Sequence, residues 1–160
     1  MINFHKAIAT VMGLGYAPIA PGTFGTIGAV LFYYLLTFAY PFAIPAALLI
    51  GLAIFFTLLG TWSTTKVIPL WGEDPSKVVM DEFVGYLITM ILVPISMKYM
   101  IIGFVLFRFF DILKPLGVRY IDLNVKGAWG VMLDDVLAGI YACLTLHLYI
   151  SREPIILSWF

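Results

Sequence analysis

The chain has 160 residues, of which 62% are hydrophobic and only 11% charged, with nine basic against nine acidic side chains and a mean hydropathy of +1.04. Soluble domains carry about a quarter charged residues, so the composition excludes an ordinary soluble protein and predicts an integral membrane protein. Zero net charge gives no reason to expect a nucleic-acid partner. The length fits one domain over residues 1–160, and the lone Cys143 leaves no disulfide within the chain.

Met1 to Gly15 has one basic residue and no small-residue cleavage site behind an apolar core. It does not read as a cleavable signal peptide, so insertion is expected to use the helices themselves. From Ala7 to Thr65 there is no Asp, Glu, Lys or Arg. Gly13, Gly15, Gly22, Gly25 and Gly28 alternate there with Pro18 and Pro21, and both residue types interrupt helices. The reading is a short helix to about Met12, an irregular loop to Phe24 and a helix from near Thr26. A glycine-rich loop before a helix offers backbone N–H groups to an anion, with the Thr23 hydroxyl beside them; a plain flexible linker fits the pattern equally well.

Leu31 to Tyr40 and Ala43 to Trp62 are apolar segments joined by the uncharged turn PFAIP. The second is close to the roughly 20 residues needed to cross a bilayer. Ser63 to Lys77 is polar, and VVMDEFVG follows with the acidic pair Asp81 and Glu82. On a helix Asp81 shares a face with Gly85, whose missing side chain lets another helix approach. Tyr86 to Ile95 and Met100 to Phe110 read as a hairpin of two short helices, which returns Arg108 and Asp111 to the side of Asp81 and Glu82. Val136 to Ile150 reads as the last apolar helix, with Asp134 and Asp135 at its start. His5 and His147 are isolated and read as buried or interfacial side chains.

This hairpin scheme puts Lys6, Lys66, Lys77, Arg108, Lys114, Arg119 and Lys126 on one side and only Lys98 and Arg152 on the other. The bias predicts that the motif-bearing side is cytoplasmic. The expected architecture is all-α: an integral membrane bundle of about four to five short spans, with its motif loops gathered on that face.

Charge concentrates between Arg108 and Gly139, in a chain that otherwise avoids it. Ionisable groups in membrane-like surroundings are functional candidates, and an adjacent pair such as Asp134-Asp135 suits a divalent cation better than it suits a wet loop. With no Cys/His cluster, hard oxygen donors point to Mg²⁺. The expected metal ligands are Asp81, Glu82, Asp134 and Asp135, with Asp111 a further participant. Cations beside such a site imply an anionic substrate, most often phosphate, for which Arg108, Lys114, Lys126 and Thr23 are the candidate contacts. Asp81, Asp111, Lys114 and Asp135 are the expected catalytic set. Structural ion pairs are the competing reading of the same charges.

Cys143 has no Arg six positions on, no DxDx[TV] nucleophile occurs, and neither His lies among Arg and Lys residues. Water activated by the metal is what remains for attack on phosphorus. A membrane carrier with paired carboxylates along its path is the alternative, although its acids would be expected near the bilayer midplane rather than at helix starts. A CDP-alcohol phosphotransferase would carry DGxxAR, which is absent.

GYAPIAPGTFGT, VVMDEFVG, FRFFDILKP and KGAWGVMLDDVLAG, in this order, resemble the phosphatidylglycerophosphatase A family. The likeness runs from Gly13 to Gly139. The chain departs from the family pattern at Gly127-Ala128, where a second glycine is common, and at Leu116-Gly117, where a second proline is common. The resemblance implies a mainly helical Mg²⁺-dependent phosphatase of the bacterial inner membrane. Its substrate would be phosphatidylglycerophosphate and its product phosphatidylglycerol.

Overall fold

The computed structural model describes residues 2–72 and 75–157, with side chains described to residue 153. Among these residues it is all-helical, with seven α-helices and a short 3₁₀ turn at Leu14–Tyr16. The helices are α1 (Ile2–Ala9), α2 (Pro21–Ala39), α3 (Ala46–Trp71), α4 (Met80–Thr89), α5 (Met97–Leu113), α6 (Gly117–Asn124) and α7 (Gly127–Leu157).

The bundle is built around α4. Every residue of this ten-residue helix except Glu82 is buried, and it packs against α2, α3, α5 and α7. Its closest crossing is with α7, where two glycines meet. A Cβ on Gly139 would lie 2.4 Å from the Gly85 carbonyl oxygen, and one on Gly85 would lie 2.3 Å from the Phe107 ring and 2.8 Å from the Asp135 carbonyl oxygen. Small residues permit such contact between backbones. This contact draws the first turn of α4 against the stretch of α7 that carries Asp135. Tyr86, fully buried, donates its hydroxyl to the Met100 carbonyl at 3.1 Å and so ties α4 to α5.

Pro21–Ala39, Ala46–Trp71 and Gly127–Glu153 are long and apolar enough to cross a membrane. Outward they present apolar rows such as Ile50, Ile54 and Leu58 on α3 and Leu144 and Leu148 on α7. Exposed apolar surface on this scale marks contact with lipid or a partner. The 17-residue α5 shows a similar row, Ile101, Val105 and Phe109.

Helix starts are where the structure departs from the sequence reading. α2 begins at Pro21 rather than near Thr26. Proline suits the first helical position, where its missing N–H would have no partner, and Gly22 and Gly25 then serve close packing instead of a flexible loop. α3 runs on to Trp71, through the stretch read as polar and past Pro69, and ends at Gly72 with φ 101°. α7 begins at Gly127, so Asp134 and Asp135 lie about two turns inside the helix and not at its start. The stretch between Pro115 and Lys126, to which the sequence reading assigns no element, contains α6.

The hairpin of α4 and α5 is present, and it puts Arg108 beside Glu82. Lys98 pairs with Glu153 at the far end of α5 from Arg108 and Lys114. His5 packs edge-on against Trp62, with its Nδ1 3.4 Å from the Ser63 Oγ, while His147 Nδ1 lies 2.9 Å from the Cys143 carbonyl oxygen of its own helix.

Candidate active site

One cavity of about 360 Å³ collects the charged residues of four helices. Asp81 and Glu82 come from the first turn of α4, and Arg108 and Asp111 from the last turns of α5. Asp122 comes from α6, and Asp134 and Asp135 from α7. Lys114 follows α5 directly, and Lys126 stands just before α7. The remaining wall includes Ala20, Pro21 and Gly22 at the start of α2, the loop residues Pro75 and Ser76, and Gly130 on α7.

The charges divide into two groups. In the first, carboxylate oxygens of Asp81, Glu82 and Asp135 lie within 4.8 Å of one another. One oxygen on each (Asp81 Oδ1, Glu82 Oε2 and Asp135 Oδ2) is buried with no hydrogen-bond partner. Buried acceptors are almost always satisfied, so an unpartnered oxygen on each of three clustered carboxylates fits a bound cation. All donors are hard oxygens and none is Cys or His, which fits Mg²⁺ and disfavours zinc. Burial, followed by the neighbouring Glu82, Asp135 and Asp134 carboxylates, holds the Asp81 carboxyl well above its ordinary pKa. Glu82 is raised too, mainly by burial, with Asp81 and Arg108 acting in the opposite direction.

Arg108 borders this group. Its Nη1 lies 2.6 Å from Asp111 Oδ2 and 3.7 Å from Glu82 Oε1. The close packing of α2 keeps Glu82 in place: a Cβ on Gly22 would sit 2.0 Å from Glu82 Oε1 and 3.1 Å from Arg108 Nη1.

The second group is centred on Lys114. Its Nζ donates to Asp134 Oδ2 at 2.7 Å and to Asp122 Oδ1 at 2.5 Å. Burial would lower the pKa of this ammonium, but the two hydrogen bonds outweigh burial and raise it. Asp134 also accepts the Asp135 N–H through Oδ1 at 3.0 Å. It is therefore bound to Lys114 rather than gathered with the other three acids.

Of the residues picked out from the sequence, Asp81, Glu82, Arg108, Asp111, Lys114, Lys126, Asp134 and Asp135 all line this cavity. Thr23 does not; it lies in the first turn of α2, one residue beyond Gly22. Arg108 pairs with Asp111, three positions on along α5, whereas Lys114 turns to Asp122 and Asp134. From the sequence, Asp122 carries no assigned role and Gly22 figures only in the glycine-rich loop read as an anion cradle or a linker. For Asp122 the only signal was its place in the charged stretch, and for Gly22 its place in the glycine-rich one.

The arrangement sets a cluster of hard oxygen donors next to two cationic side chains, a combination that suits phosphoryl chemistry. Comparison with known proteins points the same way. A Bacteroides thetaiotaomicron protein provisionally named a phosphatidylinositol-3-phosphatase is 45% identical over 142 residues, 87% of this chain and 89% of its own length. Phosphatidylglycerophosphatase A of Escherichia coli is 35% identical, covering 97% of this chain and 88% of its own. Its counterpart in Haemophilus influenzae is 37% identical, covering 91% and 88%. No solved structure matches. The model of the phosphatidylglycerophosphatase A family matches residues 7–150, the stretch that forms the bundle and every charged wall of the cavity, and the chain belongs to that family.

Proposed function

We propose that this chain removes the terminal phosphate of phosphatidylglycerophosphate in a Mg²⁺-dependent reaction and leaves phosphatidylglycerol in the bilayer. The observation that carries the reading is the trio of buried, unpartnered carboxylate oxygens on Asp81, Glu82 and Asp135, set in one cavity with Arg108 and Lys114. The substrate is inferred from the family and from the names of the Escherichia coli and Haemophilus influenzae relatives.

Asp81, Glu82 and Asp135 would hold the cation, with Asp134 joining that group to Lys114. When bound, Mg²⁺ supplies charge for the phosphoryl oxygens and makes water a better nucleophile near neutral pH. Arg108 and Lys114 bind and orient the phosphate, and the exposed Lys126 attracts it from the cavity wall. Asp111 fixes the Arg108 guanidinium. In the net reaction a bond forms between water oxygen and phosphorus and the bond from phosphorus to the glycerol oxygen breaks. The water proton balances the alcohol left on the lipid.

The three long apolar helices, joined by α5, lie in the bilayer in this reading, and the cavity opens on the cytoplasmic face of a bacterial inner membrane. The excess of Lys and Arg at that end supports the orientation. So does the chemistry, because a headgroup anchored by acyl chains meets the protein at the membrane surface.

The test is phosphate release by purified protein from phosphatidylglycerophosphate, with Mg²⁺, with chelator, and with Mg²⁺ restored. Phosphatidic acid, whose phosphate is closer to the glycerol anchor, is expected to be a much poorer substrate. Phosphatidylinositol 3-phosphate belongs in the same assay because of the name of the Bacteroides relative. Preference for either of these lipids would keep the site and overturn the substrate. Release from none of the three would favour a cation-binding carrier.

A further inference from the structure

Lys114 is held in an unusual way. It caps α5 in the left-handed region, with φ 45°, followed by Pro115 and then by Leu116 at φ 43°. Side chains other than glycine, Asn and Asp rarely adopt this conformation, and they keep it only where the surroundings fix it. Here the turn aims Lys114 between two helices. Asp134 of α7 takes its Nζ from one side at 2.7 Å, and Asp122 of α6 takes it from the other at 2.5 Å.

An ammonium on a flexible four-carbon stem has no preferred place of its own. The same cavity is lined by the carboxylates of Asp81, Glu82 and Asp135, each with an unpartnered buried oxygen. Freed from a second anchor, Lys114 would be drawn towards those acids and would compete there with the cation. Asp122 lies outside the cluster of Asp81, Glu82 and Asp135 and on a different helix, and so supplies the opposing pull.

We propose that Asp122 is a positioning residue for Lys114, holding the ammonium at the cavity wall where the substrate phosphate is met. This rests on the reading of Lys114 as a phosphate contact given above. Asp122 does not touch the reacting atoms; its effect passes through Lys114 alone.

The experiment is a cycle of Asp122→Asn, Lys114→Gln and the double variant, assayed at saturating Mg²⁺. The readouts are KM for phosphatidylglycerophosphate, kcat, and the inhibition constant of inorganic phosphate. Asp122→Asn is expected to raise KM and the phosphate inhibition constant about tenfold, with a smaller change in kcat. In the Lys114→Gln background it is expected to add nothing, because residues acting through one contact are not additive. Asp122→Glu, which keeps the charge, is expected to stay within about threefold of the parent. The Asp122 and Lys114 side chains are 33% and 29% exposed, so the site should tolerate an isosteric change. Asp122→Ser replaces the Asn variant if that protein does not fold.

Three results overturn the proposal: effects that multiply in the double variant, a Glu variant as impaired as the neutral one, or a neutral variant with unchanged phosphate inhibition. If Lys114→Gln itself leaves phosphate inhibition unchanged, the phosphate-binding role of Lys114 falls as well. Failure of Asp122 alone leaves that role intact.

Discussion

Gly22→Ala tests the proposed metal site through a residue with no functional group. The added Cβ would lie 2.0 Å from Glu82 Oε1 and 2.9 Å from its Cδ, far inside van der Waals contact. The backbone of α2 is fixed at this point by the turn at Ala20 and Pro21, so the Glu82 carboxylate must move. It would leave the group formed with Asp81 and Asp135, and the Arg108 guanidinium, 3.1 Å from the new atom, would be disturbed with it. Losing one of three carboxylates should weaken cation binding by one to two orders of magnitude, about 1.4–2.7 kcal/mol, while the apolar bundle stays folded. The control is Gly51→Ala on α3, where a Cβ meets nothing within 4 Å. Helix propensity alone would make that change neutral or stabilising by up to about 1 kcal/mol. The assay is phosphate release against Mg²⁺ concentration, with thermal unfolding in detergent as the check on folding. If Gly22→Ala reaches half-maximal activity at the parent Mg²⁺ concentration, Glu82 is not a ligand and the site has been misread.

Asp81→Asn and Asp135→Asn should each reduce Mg²⁺-dependent turnover at least a hundredfold, about 2.7 kcal/mol of barrier, in protein that still inserts; activity within about twofold of the parent would remove both from the site. Lys114→Ala should cost about 10²–10³ in turnover, whereas Lys98→Ala, which breaks the pair with Glu153 and the contacts with the Tyr99 and Tyr149 rings, should stay within about twofold; equal losses would refute the division of the bundle into a reactive and a structural end. Because burial and neighbouring carboxylates raise the Asp81 pKa, protons should compete with the cation. The Mg²⁺ concentration for half-maximal activity should therefore rise as pH falls, by up to about tenfold per unit for each proton displaced, and a value independent of pH would contradict competition between protons and the cation at Asp81.

The hairpin of α4 and α5 could be read in the sequence because two apolar runs too short to span flank PISMKY, and because charges at the outer ends of both runs have to face one another. The helix starts could not be read in the same way. Gly22, Gly25 and Gly28 look like helix breakers when only local propensity is weighed. In the bundle they are places where α2 is approached by Glu82, Val79 and Leu14, so a tertiary contact outweighs the propensity cost. The same holds for α7, whose early turns carry Gly130 and two acids and so do not look apolar until they are seen facing the cavity. In a membrane bundle the distinction between a glycine that breaks a helix and one that admits a neighbour lies in the partner, which composition does not reveal.

The site was legible as a set of residues and illegible as a division among them. Six carboxylates and three cationic side chains among the described residues line the cavity, and their proximity was implied once the hairpin returned Arg108 to Asp81. Which acid goes with which base depends on the left-handed turn at Lys114, a feature that no periodicity foretells. Lys114 carries its charge away from the first group and binds Asp134 and Asp122, leaving Asp81, Glu82 and Asp135 with little positive charge nearby except Arg108. That surplus of negative charge would repel a phosphate with nearly two negative charges of its own. With a divalent cation on the three acids the repulsion is relieved, and the phosphate can be met by Arg108 on one side and Lys114 on the other. Asp134 touches both groups, through the Asp135 N–H and the Lys114 ammonium. In the proposed reading this side chain links the cation and phosphate sites, so binding at either is expected to strengthen the other by the same factor.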